Sequence, residues 1–128
     1  MIKKTMIFLL AGASVFTACK KTETTSQTTA QKVLGKWALV SDMSSETWQG
    51  NTTYQNYRGV AADYVDFRTD GKAYYYVEKY YDTVAYKIIS DQLIKMELDT
   101  IQIKTLTSTS FVLYKKNTIT ESTVTLKK

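Results

Sequence analysis

The chain has no histidine, no proline, one cysteine and five glycines among its 128 residues. Without histidine, the Ser-His-Asp and Cys-His arrangements that activate a nucleophile are unavailable. Zinc, copper and iron–sulfur centres lose their preferred imidazole and thiolate donors. A single cysteine forms no intramolecular disulfide. A hard cation can still be held by carboxylates, yet no run has the spacing of a calcium loop. The carboxylate pairs on offer are Asp63 with Asp66 and Glu97 with Asp99. A spacing of two along a strand puts Glu97 and Asp99 on one outer face, which reads as solvated surface rather than the two-sided cleft of a glycosidase. The expectation is a protein that is not an enzyme, with no cofactor and no metal.

Charge of one sign is also scarce. The net charge is +5, and subtracting Lys3 and Lys4 of the leading segment leaves +3. The lysines are scattered, which suits a solvated surface near anionic lipid headgroups and not a nucleic-acid interface. The lack of proline accompanies many Thr, Tyr, Val and Ile residues, the types that fit a pleated, half-buried sheet.

The position of the one cysteine is informative. Lys3 and Lys4 form a positive start, and Met6 to Phe16 is an apolar run of about eleven residues, too short to span a bilayer comfortably. Small residues lead from there to Cys19. The segment Phe16-Thr17-Ala18-Cys19 resembles the lipobox of bacterial lipoproteins, with Phe16 where that family commonly has Leu. The resemblance implies that residues 1–18 are a signal peptide and that Cys19 is the lipidation site. Two or more acyl chains there give stable membrane anchoring, where one chain gives only marginal binding. Residues 19–32 are Thr-rich, polar and aperiodic, and read as a disordered tether. Lys20 stands where lipoproteins retained at the inner membrane commonly have Asp, and no acid-rich export signal follows Cys19. By that resemblance the protein is exported, anchored to the outer membrane of a Gram-negative bacterium and faces the periplasm.

The domain proper, residues 33–128, is organised around Tyr64–Arg68 and Lys72–Val77, two alternating runs flanking Thr69-Asp70-Gly71. A three-residue loop with Gly71 in the left-handed conformation pairs Phe67 with Ala73. It collects Val65, Phe67, Ala73, Tyr75 and Val77 on one face, and separates apolar from charged better than a two-residue loop does. The first strand contains Trp37 and Leu39. After the central hairpin, with its second strand read as Lys72–Tyr80 and a turn at Asp82, alternation continues through Val84–Ile88, Ile94–Leu98, Ile101–Ile103, Phe111–Leu113 and Val124–Leu126. Such spacing predicts an all-β domain, a small eight-stranded antiparallel up-and-down barrel, with a β-sandwich as the alternative. The expected inward residues are Trp37, Leu39, Val65, Phe67, Tyr75, Val77, Tyr86, Ile88, Met96, Ile101, Ile103, Phe111 and Leu113.

Gly35-Lys36-Trp37 entering the first strand, Phe67-x-x-Asp70-Gly71 and the strand count together resemble the small lipocalin-like bacterial lipoproteins. That resemblance implies that Trp37 plugs one end of the barrel, with a basic residue of the last strand, Lys127 or Lys128, packed over it. Ser44–Ala62 reads as a long loop, a lid over the open end carrying Trp48, Tyr54 and Tyr57. Tyr75, Tyr81 and Tyr86 are expected to line the mouth, with Lys79 on the inward face near the rim. The ligand expected there is a small hydrophobic or aromatic molecule. A second expectation is a partner face of Tyr64, Tyr74 and Tyr76, with Tyr80 at its end, which offers aromatic surface to an envelope protein or a glycan.

Overall fold

The computed structural model describes residues 26–128. The expected signal peptide, Cys19 and half of the expected tether, residues 19–25, lie outside the described residues. Order begins earlier than expected. Helix α1, Thr29–Val33, is started by Thr28, whose hydroxyl accepts from the Gln31 amide while the Gln31 side chain accepts from the Thr28 amide. Val33 at its end is fully buried, and this packing is what the polar composition of the tether conceals.

Nine strands follow: β1 Gly35–Trp48, β2 Asn51–Arg58, β3 Tyr64–Phe67, β4 Lys72–Val77, β5 Tyr80–Ser90, β6 Leu93–Met96, β7 Asp99–Leu106, β8 Ser110–Lys116 and β9 Thr120–Lys127. Each of β3 to β8 pairs antiparallel with the next, and β1 pairs with both β3 and β9. The eight strands β1 and β3–β9 therefore close into a barrel, which leaves β2 as an addition. The central hairpin has the expected register, Phe67 opposite Ala73 and Val65 opposite Tyr75, with Gly71 at φ +82°.

The expected lid loop is the main correction. Residues 44–58 are strand, not loop: β1 continues to Trp48, turns at Gln49-Gly50, and β2 runs back along it from Trp48 opposite Asn51 to Ser41 opposite Arg58. β2 and β3 share one edge of β1. β3 pairs with Gly35 to Ala38, the Asp63 carbonyl accepts from Leu39 N at 3.1 Å, Gly59 N donates to Val40 O at 2.9 Å, and β2 takes over from Ser41. These two bonds carry the pairing of that edge across the change from β2 to β3, in keeping with the demand that buried backbone groups be bonded. Gly59 is required here, because a Cβ at this position would lie 2.0 Å from Leu39 O.

A second correction concerns β4. It ends at Val77 rather than Tyr80, and the turn is Glu78-Lys79, with φ of 53° and 69°. Asp82 accordingly lies within β5. Tight hairpin turns with both central residues left-handed usually announce themselves by Asn-Gly or Asp-Gly, and Glu-Lys carries no such signal.

Candidate functional site

The barrel has two unlike ends. At the closed end, Trp37, Phe67, Phe111, Ile94, Leu126 and Val33 are fully buried. Trp37 meets Phe111 edge-on at 5.3 Å, and Phe67 meets Tyr86 edge-on at 5.1 Å. The Trp37 indole N–H donates to Val33 O at 2.8 Å, tying α1 across the end of the barrel. Lys128 Nζ sits 4.4 Å from the Trp37 ring and donates to Leu34 O at 2.8 Å. Trp37 is thus the plug, and Lys128, not Lys127, covers it.

At the other end the interior is not filled. A cavity of about 290 Å³ is walled by Leu39, Val65, Phe67, Tyr75, Val77, Met96, Ile101, Leu113, Val124 and Leu126, with Asp42, Lys115 and Ser122 as its polar members. These side chains come from β1, β3, β4, β6, β7, β8 and β9, because alternation turns every second residue of each strand inward. Many of them are only partly buried where they line the cavity, Val65, Val77, Met96, Ile101 and Val124 among them.

Asp42 was invisible to the alternation argument. Trp37 and Leu39 face inward, so strict alternation would continue with Ser41 and Met43. A bulge between Leu39 and Ser41 shifts the β1–β9 register by one, pairing Leu39 with Leu126 and Asp42 with Val124. Both members of β9 line the cavity, so Asp42 does as well and Met43 turns out to solvent, about half exposed. The carboxyl keeps access to water at the mouth, while the enclosing walls raise its pKa above the ordinary 3.8 by desolvation. Lys115 Nζ is ion-paired with Asp99 at 2.8 Å. Tyr75 OH donates to Asp82 Oδ2 at 3.3 Å on the same wall.

Of the expected mouth residues, Tyr75 lines the cavity and the others do not. Trp48 and Tyr54 are 61% and 74% exposed near the tip of the β1–β2 hairpin. By register Trp48 shares a face with Asp42, Ser44 and Glu46, whereas Tyr54, opposite Ser45, points to the other side. Tyr57 is tied down instead of closing a lid: its hydroxyl donates to Asp63 Oδ2 at 2.5 Å. Asp63 is 1% exposed and also accepts from Val60 N at 2.9 Å and Glu78 N at 3.2 Å, which joins the β2–β3 crossing to the β4–β5 turn. These hydrogen bonds hold the Asp63 carboxyl below its usual range, and the same bond to Asp63 pushes the Tyr57 phenol up to about 12.

Lys79 lies in the exposed β4–β5 turn rather than on the inward face. Moving that turn to Glu78-Lys79 also exchanges the faces of two tyrosines. Tyr81 pairs with Tyr76 on the outer face, and Tyr80 pairs with Val77. Tyr86 is inward but deep, against Phe67, with its hydroxyl donating to Arg68 O at 2.8 Å. Glu97, at φ 54°, lies in the β6–β7 turn and accepts from Ala85 N, so it shares no strand face with Asp99.

Tyr64, Tyr74 and Tyr76 do gather on the outside. Tyr64 and Tyr76 stack at 6.1 Å, Lys36 Nζ lies 3.9 Å from the Tyr64 ring, and the Arg68 guanidinium lies 4.1 Å from Tyr74. Tyr74 OH donates to Asp70 Oδ2 at 2.6 Å. Two ring faces are therefore covered by the protein's own cations, which makes the cluster a cross-strand brace.

Among the described residues no group of three or more acids or other metal-ligating side chains comes together. A wider hollow of about 680 Å³ lies between Ser26–Lys32 and Gln92–Leu106, but it is a shallow polar groove outside the barrel. Comparison with protein-family models, with curated proteins and with solved structures finds no match.

Proposed function

We propose that this protein is a lipid-anchored envelope lipoprotein, held at the periplasmic face of an outer membrane through acyl chains on Cys19, whose barrel binds a small hydrophobic or aromatic molecule at its open end. One observation carries the binding reading: one end of the barrel is packed solid, while the other encloses about 290 Å³ of mainly apolar space. A barrel serving only as scaffold gains stability by filling such a space, since each unfilled volume forfeits contacts. The volume is about twice the roughly 150 Å³ of a dry engineered cavity that accepts benzene, and close to the lower bound of ordinary ligand pockets. The anchoring reading rests on the lipobox-like Phe16–Cys19 alone.

The test is native mass spectrometry of the full chain isolated from its own host without added ligand. The expected result is a co-purifying small molecule that is lost in Val77→Trp, which fills the cavity from β4. A bare mass for wild type, with complexes to a second envelope component instead, would replace the carrier reading by an accessory role through the outer tyrosine face, where Tyr81 is 55% exposed beside Tyr76.

A further inference from the structure

The cavity has apolar walls and a polar edge, and the polar groups are not equivalent. Lys115 is already neutralised by Asp99 at 2.8 Å. Tyr75 has Asp82 as an acceptor. Asp42 has no hydrogen-bond or ion-pair partner among the described residues, although it lines the same cavity. Its placement is built into the backbone, since the bulge after Leu39 brings it inward in place of Met43. Apolar inside followed by apolar Met43 would be the simpler pattern for a filled barrel. Bulges that re-aim one side chain are enriched beside functional sites.

We propose that Asp42 is the specificity-determining residue of this cavity and that its ligand is a small apolar molecule carrying a single cationic amine. The inference rests on the reading of the cavity as a ligand site. A carboxylate ligand is disfavoured, because Lys115, the one cation lining the cavity among the described residues, is paired with Asp99, and Asp42 would repel a second anion. A neutral alcohol can donate one hydrogen bond to Asp42, but an ammonium group adds charge assistance in a partly desolvated mouth. The Asp42 carboxylate is exposed at the mouth, and among the described residues no side chain or backbone donor bonds it; partial desolvation raises its pKa. The apolar wall then takes the body of the ligand, and the volume suits one aromatic ring with a short alkyl arm.

Three matched probes separate the possibilities: 4-phenylbutylamine, 4-phenylbutanol and 4-phenylbutyrate, titrated calorimetrically into the full chain in lipid nanodiscs, with empty nanodiscs as reference. The amine is expected to bind about tenfold more tightly than the alcohol, the scale of a hydrogen bond to a charged group, and the butyrate most weakly. Asp42→Asn should erase the amine's advantage and leave alcohol affinity within about twofold, while Lys115→Met should preserve the advantage. Equal affinities, a preference for butyrate, or an amine preference that survives Asp42→Asn would overturn the assignment and leave the cavity as a ligand site. Failure of all three probes would overturn the assignment, and with no co-purifying molecule in the native spectrum it would count against the cavity reading as well. Should Asp42→Asn not fold, the wild-type ratio of amine to alcohol affinity decides the matter.

Discussion

The two ends of this barrel are made by the same strands and differ in what those strands are asked to fill. At the closed end, Trp37, Phe67 and Phe111 interlock within 5.3 to 5.6 Å, and α1 and Lys128 cover them. At the open end, smaller residues such as Val65, Val77 and Val124 stand around empty space, and the wall carries Asp42, which has no side-chain partner among the described residues. The sides of the open end are also unequal. β4 stops at Val77, while β1, β2 and β9 run on past it, Asp42 to Trp48 adding about 20 Å at roughly 3.3 Å per residue. Stability is concentrated where the aromatic packing is, and the open end is left unfilled. Bulky side chains fill one end of a small barrel, and shorter ones leave room at the other.

Substitutions can break that contrast, and the largest effect is expected at the closed end. Trp37→Ala removes the plug, its bond to Val33 and the Lys128 contact, and should cost about 3–5 kcal/mol in urea unfolding, enough to unfold a marginal domain. Gly59→Ala drives a Cβ into the Leu39 carbonyl and should cost about 1–3 kcal/mol or more, whereas Gly50→Ala, at a turn with open space around it, tests only the backbone conformation and should cost less. By contrast Val77→Ala at the mouth should cost about 1 kcal/mol or less, because the space beside it is already empty, while changing ligand affinity. If Trp37→Ala and Val77→Ala proved equally costly, the division between a packed end and an unfilled end would be wrong.

The Asp63 junction sharpens the comparison through pH. Its carboxyl titrates below 3.8 in the folded state, so it stabilises the fold above about pH 3.8, and that contribution is lost as pH falls through the lowered value. Tyr57 runs the other way. Its folded pKa of about 12 lies above the ordinary 10, so its contribution is complete below pH 10 and is lost as pH rises toward 12. In thermal melts Tyr57→Phe should therefore lose less stability than wild type between pH 10 and 12, the remaining drop coming from Tyr74, Tyr75, Tyr86 and Tyr114, whose pKa values are also raised. The smallest effect expected is at Asp42. Because burial raises its pKa, ionisation at neutral pH opposes folding slightly, and Asp42→Asn should raise the unliganded melting temperature by a small margin at pH 7 and not at pH 3. A fall instead would mean that Asp42 has a structural partner.

The sequence was most legible where local rules act without competition. The Thr69-Asp70-Gly71 turn gave the central register, since only glycine takes φ +82° without strain, and Asp70 Oδ1 accepts from Lys72 N to fix it. Alternation gave the inward faces of β3, β4, β7 and β8, and the plugged end at Trp37 was implied by the resemblance carried by Gly35-Lys36-Trp37. The expectations failed at Ser44–Ala62, Glu78-Lys79 and Tyr81. Glu78 and Lys79, and Gln49 ahead of Gly50, have little turn preference, and the rest of each hairpin imposes their left-handed backbone. Segment 44–58 is polar on both faces because much of it lies beyond the barrel, so it shows no hydrophobic alternation from which a strand could be read.

By itself, then, the sequence determined that the domain is an antiparallel β-structure with Trp37 facing inward, because period-two patterning and one glycine turn are properties of neighbouring residues. Tertiary structure alone decided that the barrel closes by pairing β1 with β9, that β2 and β3 divide one edge of β1 around Gly59 and Asp63, and that Asp42 faces the cavity. The physical reason is that closure, edge sharing and a bulge depend on which distant backbone groups find partners. A one-residue shift between β1 and β9 leaves no trace in the composition of either strand, yet it chooses whether a methionine or a carboxylate looks into the cavity.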